Sequence, residues 1–275
     1  MITSVIYLKP TAGLCNRMRA IDSALALSRS LNTGLNIYWV RGSDLNCPFH
    51  LLFEPFADTH VQVYDRMIRP LRFIHTHPNL FRLARFLHLN NQSFSSREND
   101  RLLHVDWTTL TSGKPIIIES LGRFYANKDR YTDFKPIQPL AQRISARTAQ
   151  FDQHTVGVHV RRTDNVKSII MSPDDLFIAQ MQHELEEQPL TRFYLATDSL
   201  DVKKKFTHIF GNLIITTPDE ATRTTFEGVQ EAVVELYALA GTSKILGSFW
   251  STYSSTAAEL GNIKMVRIKA ETKAL

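Results

Sequence analysis

The run Thr155-Val156-Gly157-Val158-His159-Val160-Arg161-Arg162-Thr163-Asp164-Asn165 concentrates the chemistry of this chain. A β-branched stretch ends, and two arginines and a carboxylate follow at once. Open α/β sheets bind ligands at the carboxyl ends of their strands. Adjacent arginines there form an anion clamp, because each planar guanidinium can engage two phosphate oxygens. Asp164 adds a carboxylate that can take a proton. A leaving pyrophosphate beside an acid–base group is what sugar transfer from a nucleotide diphosphate requires. On this run alone, a strand end with solvated arginines is the alternative.

Three further places carry polar groups at element ends. Gly13-Leu14-Cys15-Asn16 is a turn entering a helix, where free N–H groups can hold an anion; a simple tight turn is the alternative. Arg17 and Arg19, on the first helical turn, read as surface charges. Asp198 closes a strand, and such acids hold a ribose or base, or cap the next helix. Ser248-Phe249-Trp250-Ser251 opens the last helix, whose N-terminus suits phosphate. Trp250 there is either core or the lining of a sugar pocket.

The run from Val156 to Asp164 resembles the His-x-Arg-Arg-x-Asp signature of the α1,6-, α1,2- and protein O-fucosyltransferases, nearest the α1,6 branch. Phe193 to Asp198, Glu227 to Glu235 and Gly247 to Ser251 resemble the later motifs, in order, over residues 151–260. Gly13 to Met18 resembles the first motif. The resemblance implies a GT-B enzyme with no cofactor, transferring fucose from GDP-fucose to a glycan or glycolipid hydroxyl, with inversion and without metal. It implies that Arg161 and Arg162 grip the pyrophosphate and that His159, Asp198 and Glu235 hold the nucleoside. Gly13, Asn16 and Ser251 complete the donor site. A carboxylate at position 235 can accept from guanine N1–H and N2–H₂ together. The α1,6 pattern has Lys and Glu where Asn165 and Ile169 stand, with Lys167 as a substitute cation. Asp164 is the candidate base and Glu119 the other. Another nucleotide-sugar donor, or a non-catalytic GDP-sugar or glycan-binding protein, stays open.

These side chains need strands and helices to present them. Val5 to Leu8 reads as a strand, Asn16 to Asn32 as a helix stopped by Gly34, and Leu35 to Val40 as a second strand. Residues 41–115 show no clear period. Ile116 to Glu119 reads as a strand, and Pro139 opens a helix running to about Phe151. Strands fit 155–160, 193–196, 213–216, 245–247 and 263–268. Helices fit 172–188, with Ser172 as N-cap, and 199–210, 225–240 and 251–260. The alternation predicts an α/β chain of two Rossmann-like domains facing a cleft, the first compact. The expected boundaries are 1–150 for an acceptor-side domain and 151–275 for the donor-binding domain.

Composition narrows the remainder. The chain has 275 residues, 43% of them hydrophobic, enough for real cores. No apolar run approaches the ~20 residues of a membrane span. The first residues lack the charged and apolar regions of a signal peptide. Two cysteines, Cys15 and Cys47, make no Cys-x-x-Cys pair, which fits a cytoplasmic protein. Cys15 reads as a packing residue. There is no Asp-x-Asp triplet, and His75-Thr76-His77 alone is no zinc site. The net charge of +5 suits anionic ligands. In 66–101, arginines alternate with Phe and Leu. That segment either touches anionic membrane peripherally or is an ordinary helix with arginines in water. Nucleic acid is not an expected partner, because no broad basic surface with stacking aromatics is evident.

Overall fold

The computed structural model describes residues 5–65, 92–94, 105–107, 115–163 and 165–271. Asp164 and, apart from 92–94, the basic segment 66–101 lie outside these. The chain forms two compact units, Met1–Lys135 and Pro136–Leu275.

The first unit is a five-stranded parallel sheet. Its strands are β1 (Val5–Pro10), β2 (Gly34–Tyr38), β3 (Val61–Tyr64), β4 (Gln92–Phe94) and β5 (Ile116–Ser120). Their order is β3-β2-β1-β5-β4. Helix α1 (Leu14–Leu31) follows β1 and buries Met18, Ile21, Ala24 and Leu25. It ends at Asn32, whose φ of 48° supplies the left-handed cap. The expected stop, Gly34, instead opens β2. Asparagine serves because its short polar side chain tolerates that conformation.

The second unit is also all-parallel. It contains β6 (Thr155–Val160), β7 (Arg192–Thr197), β8 (Ile214–Ile215), β9 (Lys244–Ser248) and β10 (Lys264–Ile268), ordered β10-β9-β6-β7-β8. This is the 3-2-1-4-5 order of a mononucleotide-binding half, with its switch point between β6 and β9. Strand β6 is buried throughout, as a central parallel strand requires. Its helices are α2 (Gln138–Thr148), α3 (Val166–Met171), α4 (Asp174–Glu187), α5 (Leu200–Phe210), α6 (Phe226–Ala240) and α7 (Thr252–Gly261). Ser199, Thr225 and Ser251 cap α5, α6 and α7 with their hydroxyls.

Two elements differ from expectation. Helix α3 is too short for a periodic pattern. Ser172 does not cap α4, because its hydroxyl donates to the Ile268 carbonyl at 2.7 Å and accepts from Phe249 N–H at 2.8 Å. The core of this unit gathers Val158, Phe177, Met181, Phe193, Leu195, Phe206 and Leu246.

Gly247 sets the distance between β9 and α7. A Cβ there would lie 2.6 Å from Ser254 Cβ and 2.8 Å from its Oγ. Gly247→Ala is expected to destabilise by about 1–3 kcal/mol, since this overpacking must move α7. Urea unfolding checks it; an unchanged midpoint would contradict the close approach.

Candidate functional site

The switch point of the second sheet gathers most of the residues expected from the sequence. Peptide N–H groups leaving a strand lose their ladder partners and need others. Here the neighbouring strands supply them. Ser248, ending β9, accepts from Arg161 N–H at 3.0 Å and donates to the His159 carbonyl at 3.2 Å. Asp198, after β7, accepts from Arg162 N–H at 2.7 Å and from Thr163 Oγ1 at 2.6 Å. Both its oxygens therefore hold the turn.

The two arginines have different surroundings. The Arg162 guanidinium folds back into the protein. It donates to the carbonyls of Arg161 and Ser172, each at 2.8 Å, and to Asp174 at 2.9 Å through Nε. Its side chain is 14% exposed. Asp174 opens α4 and also meets Lys205 at 3.0 Å. Burial pushes the Asp174 carboxyl up, but Arg162 and Lys205 hold it below its usual value. Arg161 is half-buried, with its N–H bound by Ser248 and its carbonyl by Arg162.

His159 is buried, with Nδ1 2.7 Å from Ser254 Oγ and its ring stacked on Tyr253 at 4.7 Å. Burial, then the neighbouring Arg161 and Arg162, push the imidazole down to about 3 against the pull of Asp198. The ring is therefore neutral at ordinary pH. Tyr253 in turn donates to the Ala232 carbonyl on α6, one turn before Glu235. Glu235 is 2% exposed and 3.3 Å from Lys203 Nζ. Burial pushes its carboxyl up to about 8, against the pull of Lys203.

Ser251 is buried at the start of α7. Asn165 caps α3 and donates to the Trp250 carbonyl at 3.1 Å. Lys167 Nζ lies 4.4 Å over the Trp250 ring. Sequence reasoning places Ser248 only in the turn that opens the last helix and gives no site role to Asp174 or Tyr253. Their signal is position: Ser248 ends β9, Asp174 starts α4 and Tyr253 lies in the first turn of α7.

The other expected residues belong to the first unit. Gly13 precedes α1 with an extended backbone, and the left-handed residue is Ala12, with φ 64°. Asn16 is half-buried in the first turn. Arg17 is not a surface charge; it is 4% exposed and donates to the Ala12 carbonyl at 2.7 Å and the Val40 carbonyl at 2.8 Å. It lies over the Trp39 ring, and burial lowers its pKa to about 10. The turn thus needs a buried cation to satisfy carbonyls. Cys15 is buried, in line with a packing role. Glu119 pairs with Lys9 at 3.2 Å. Among the described residues no cluster of three His, Cys, Asp or Glu side chains could hold a metal, and no helix is long and apolar enough to cross a membrane.

No family model and no curated protein matches this chain. Solved structures do. The α1,6-fucosyltransferase NodZ from Bradyrhizobium superposes with a TM-score of 0.66 at 18% identity, over 94% of this chain and 93% of that one. A structure of NodZ co-crystallised with GDP gives 0.67. Arabidopsis thaliana FUT1, as a variant in complex with GDP, gives 0.60 at 15% identity, over 98% of this chain and 71% of that one. POFUT1 in complex with GDP gives 0.56 at 10% identity, over 98% of this chain and 99% of that one. The fold is that of the fucosyltransferases. It agrees with the resemblance read from the motifs, and it is the α/β, GT-B type.

The buried neutral His159 carries a pH signature. A histidine whose folded pKa lies below its unfolded value loses stability for the fold as pH drops below about 6.5. His159→Asn removes that dependence while the shared carboxylates remain. The stability gap between wild type and variant should narrow by about 1 kcal/mol from pH 7.5 to 5.5. Urea unfolding at both pH values measures it; a constant gap would mean that His159 titrates normally.

Proposed function

We propose that this protein is a glycosyltransferase that moves fucose from GDP-fucose to a glycan hydroxyl. The observation that carries the reading is Arg161 at the switch point of the second sheet, its peptide fixed on both sides. The comparisons support it, since NodZ, FUT1 and POFUT1 are fucosyltransferase structures with GDP.

The reaction follows from charge. The C1–O bond to the β-phosphate breaks, and its electron pair leaves with the diphosphate. Arg161 meets the growing negative charge with a guanidinium whose backbone is already fixed, so little reorganisation is needed. Arg162 contributes through Arg161, holding its carbonyl, and adds a second positive charge nearby. That cationic pair serves in place of a divalent metal. The acceptor oxygen attacks C1 from the opposite face, which inverts it, and its proton passes to a carboxylate. Asp164, two residues after Arg162 in the sequence, is the proposed base, with Glu119 as the other candidate. Ser251, at the N-terminus of α7, adds a polar group for the phosphates.

His159 and Glu235 read the nucleoside. Guanine offers N1–H and N2–H₂, a match for an ionised carboxylate. Glu235 is largely protonated near neutrality, so binding guanine must release its proton. GDP affinity should therefore rise from pH 6.5 to 8.5, in EDTA, with proton release seen by calorimetry in two buffers. Glu235→Gln should abolish the release. UDP or ADP binding as tightly as GDP would end the guanine assignment.

The two arginines are tested separately. Arg161→Ala is expected to lose roughly 30- to 1,000-fold in transfer, as ~2–4 kcal/mol of transition-state stabilisation goes. Arg162→Ala should lose both transfer and melting temperature, because Asp174 is left half-compensated. Lysine should rescue neither well, lacking the planar fork. Near-normal transfer by Arg161→Ala would contradict its role at the diphosphate.

A further inference from the structure

Trp250 is the one solvent-facing tryptophan of the three. It is 60% exposed, whereas Trp39 and Trp107 are 0% and 5% exposed. Its φ is 56°, a conformation that costs a bulky residue roughly 1–2 kcal/mol and a glycine almost nothing. The chain nonetheless places an indole there and holds it. Asn165 binds its carbonyl, Lys167 lies over its ring, and Phe249 meets it edge-on at 5.7 Å. Phe249 is itself fixed by its N–H on Ser172 Oγ. Trp250 stands between Ser248, which binds Arg161 N–H, and Ser251, which caps α7. Val166 and Ile170, one turn apart on α3, are 66% and 67% exposed. A held, exposed ring with apolar side chains on the adjoining helix offers an apolar face that a ligand can cover.

We propose that the Trp250 indole is the platform for the sugar ring of the donor and favours a 6-deoxyhexose; this rests on the GDP-sugar reading above. The sugar is joined directly to the phosphate that Arg161 would hold. It must therefore lie within a residue or so of the Ser248–Ser251 turn. The C–H face of a pyranose is apolar and packs on an aromatic face. A methyl group at C5 enlarges that apolar surface. A hydroxymethyl group would instead place a hydroxyl against that apolar surface, at some cost in desolvation. On this surface L-fucose is expected to bind better than L-galactose, its 6-hydroxy counterpart, on the same nucleotide.

The test uses the full chain without acceptor, titrated with GDP, GDP-fucose and GDP-L-galactose. Wild type should bind GDP-fucose more tightly than GDP-L-galactose. Trp250→Gly should keep GDP affinity within about twofold and lose roughly three- to tenfold for GDP-fucose, the scale of one aromatic contact. Trp250→Phe should fall between. Because glycine suits this φ, the melting temperature of Trp250→Gly should hold or rise, which separates lost binding from lost folding. In wild type, iodide quenching of tryptophan fluorescence should drop on adding GDP-fucose and much less on adding GDP. An unchanged GDP-fucose to GDP ratio in Trp250→Gly, or equal protection by both ligands, overturns the platform. If GDP itself fails to bind wild type, the donor reading falls, and the platform with it.

Discussion

The peptide between Arg161 and Arg162 is the constraint on which the site depends. Strand β6 runs between β9 and β7, all parallel, so three strand ends finish on one edge. From one side Ser248 reaches the Arg161 N–H; from the other Asp198 reaches the Arg162 N–H. The Arg162 guanidinium closes the arrangement on the carbonyl between them. Two consecutive residues thus have their backbone fixed by side chains from two different strands. Only a correct β9–β6–β7 register brings those side chains into place. The sheet therefore acts as a jig, and the arginine it orients owes its position to pairing formed several residues away.

Buried charge elsewhere in the second unit has the same logic at larger scale. Arg143 and Arg147, a turn apart on α2, both bind Glu231 of α6. Glu231 and Glu235 lie on one face of α6, and Lys203 of α5 meets the second. Each ion removed from water costs several kcal/mol, so such pairs add little net stability. They do specify which helices pack together, since a misplaced α2 would leave Glu231 buried and uncompensated. This is why a helix that precedes β6 in sequence belongs to the same compact unit.

Much of this architecture is legible in the amino-acid sequence. β-Branched runs mark β1, β5 and β6, an aromatic and aliphatic run marks β7, and the hydroxyl caps at Ser199, Thr225 and Ser251 mark three helix starts. What escapes is decided by tertiary partners. Asn32 rather than Gly34 ends α1, because either residue tolerates a left-handed cap and spacing alone does not choose. Arg17 looks like a surface cation until Ala12 and Val40 present their carbonyls to it. Ser172 sits before a proline and two acids as a cap would, yet Phe249 and Ile268 capture its hydroxyl. Arg161 and Arg162 are identical letters side by side. That the second folds onto Asp174 and the Ser172 carbonyl, ten to twelve residues away, is set by tertiary packing. The strand order of the first unit, with β5 inside β4, is hidden because residues 41–115 carry no readable period.

The Arg162–Asp174 pair also closes a loop. The segment between them, α3 included, leaves the sheet at one end of that ion pair and returns at the other, with Ser172 tied to β10. A loop rooted this way is insulated from the frame that carries it. Doubling its length would add only about 0.6 kcal/mol of closure entropy. Exposed residues of α3 such as Val166 and Ile170 can therefore be exchanged while the root stays unchanged. In engineering terms the segment is a replaceable cartridge: it can be redrawn without re-solving the problem of folding the sheet.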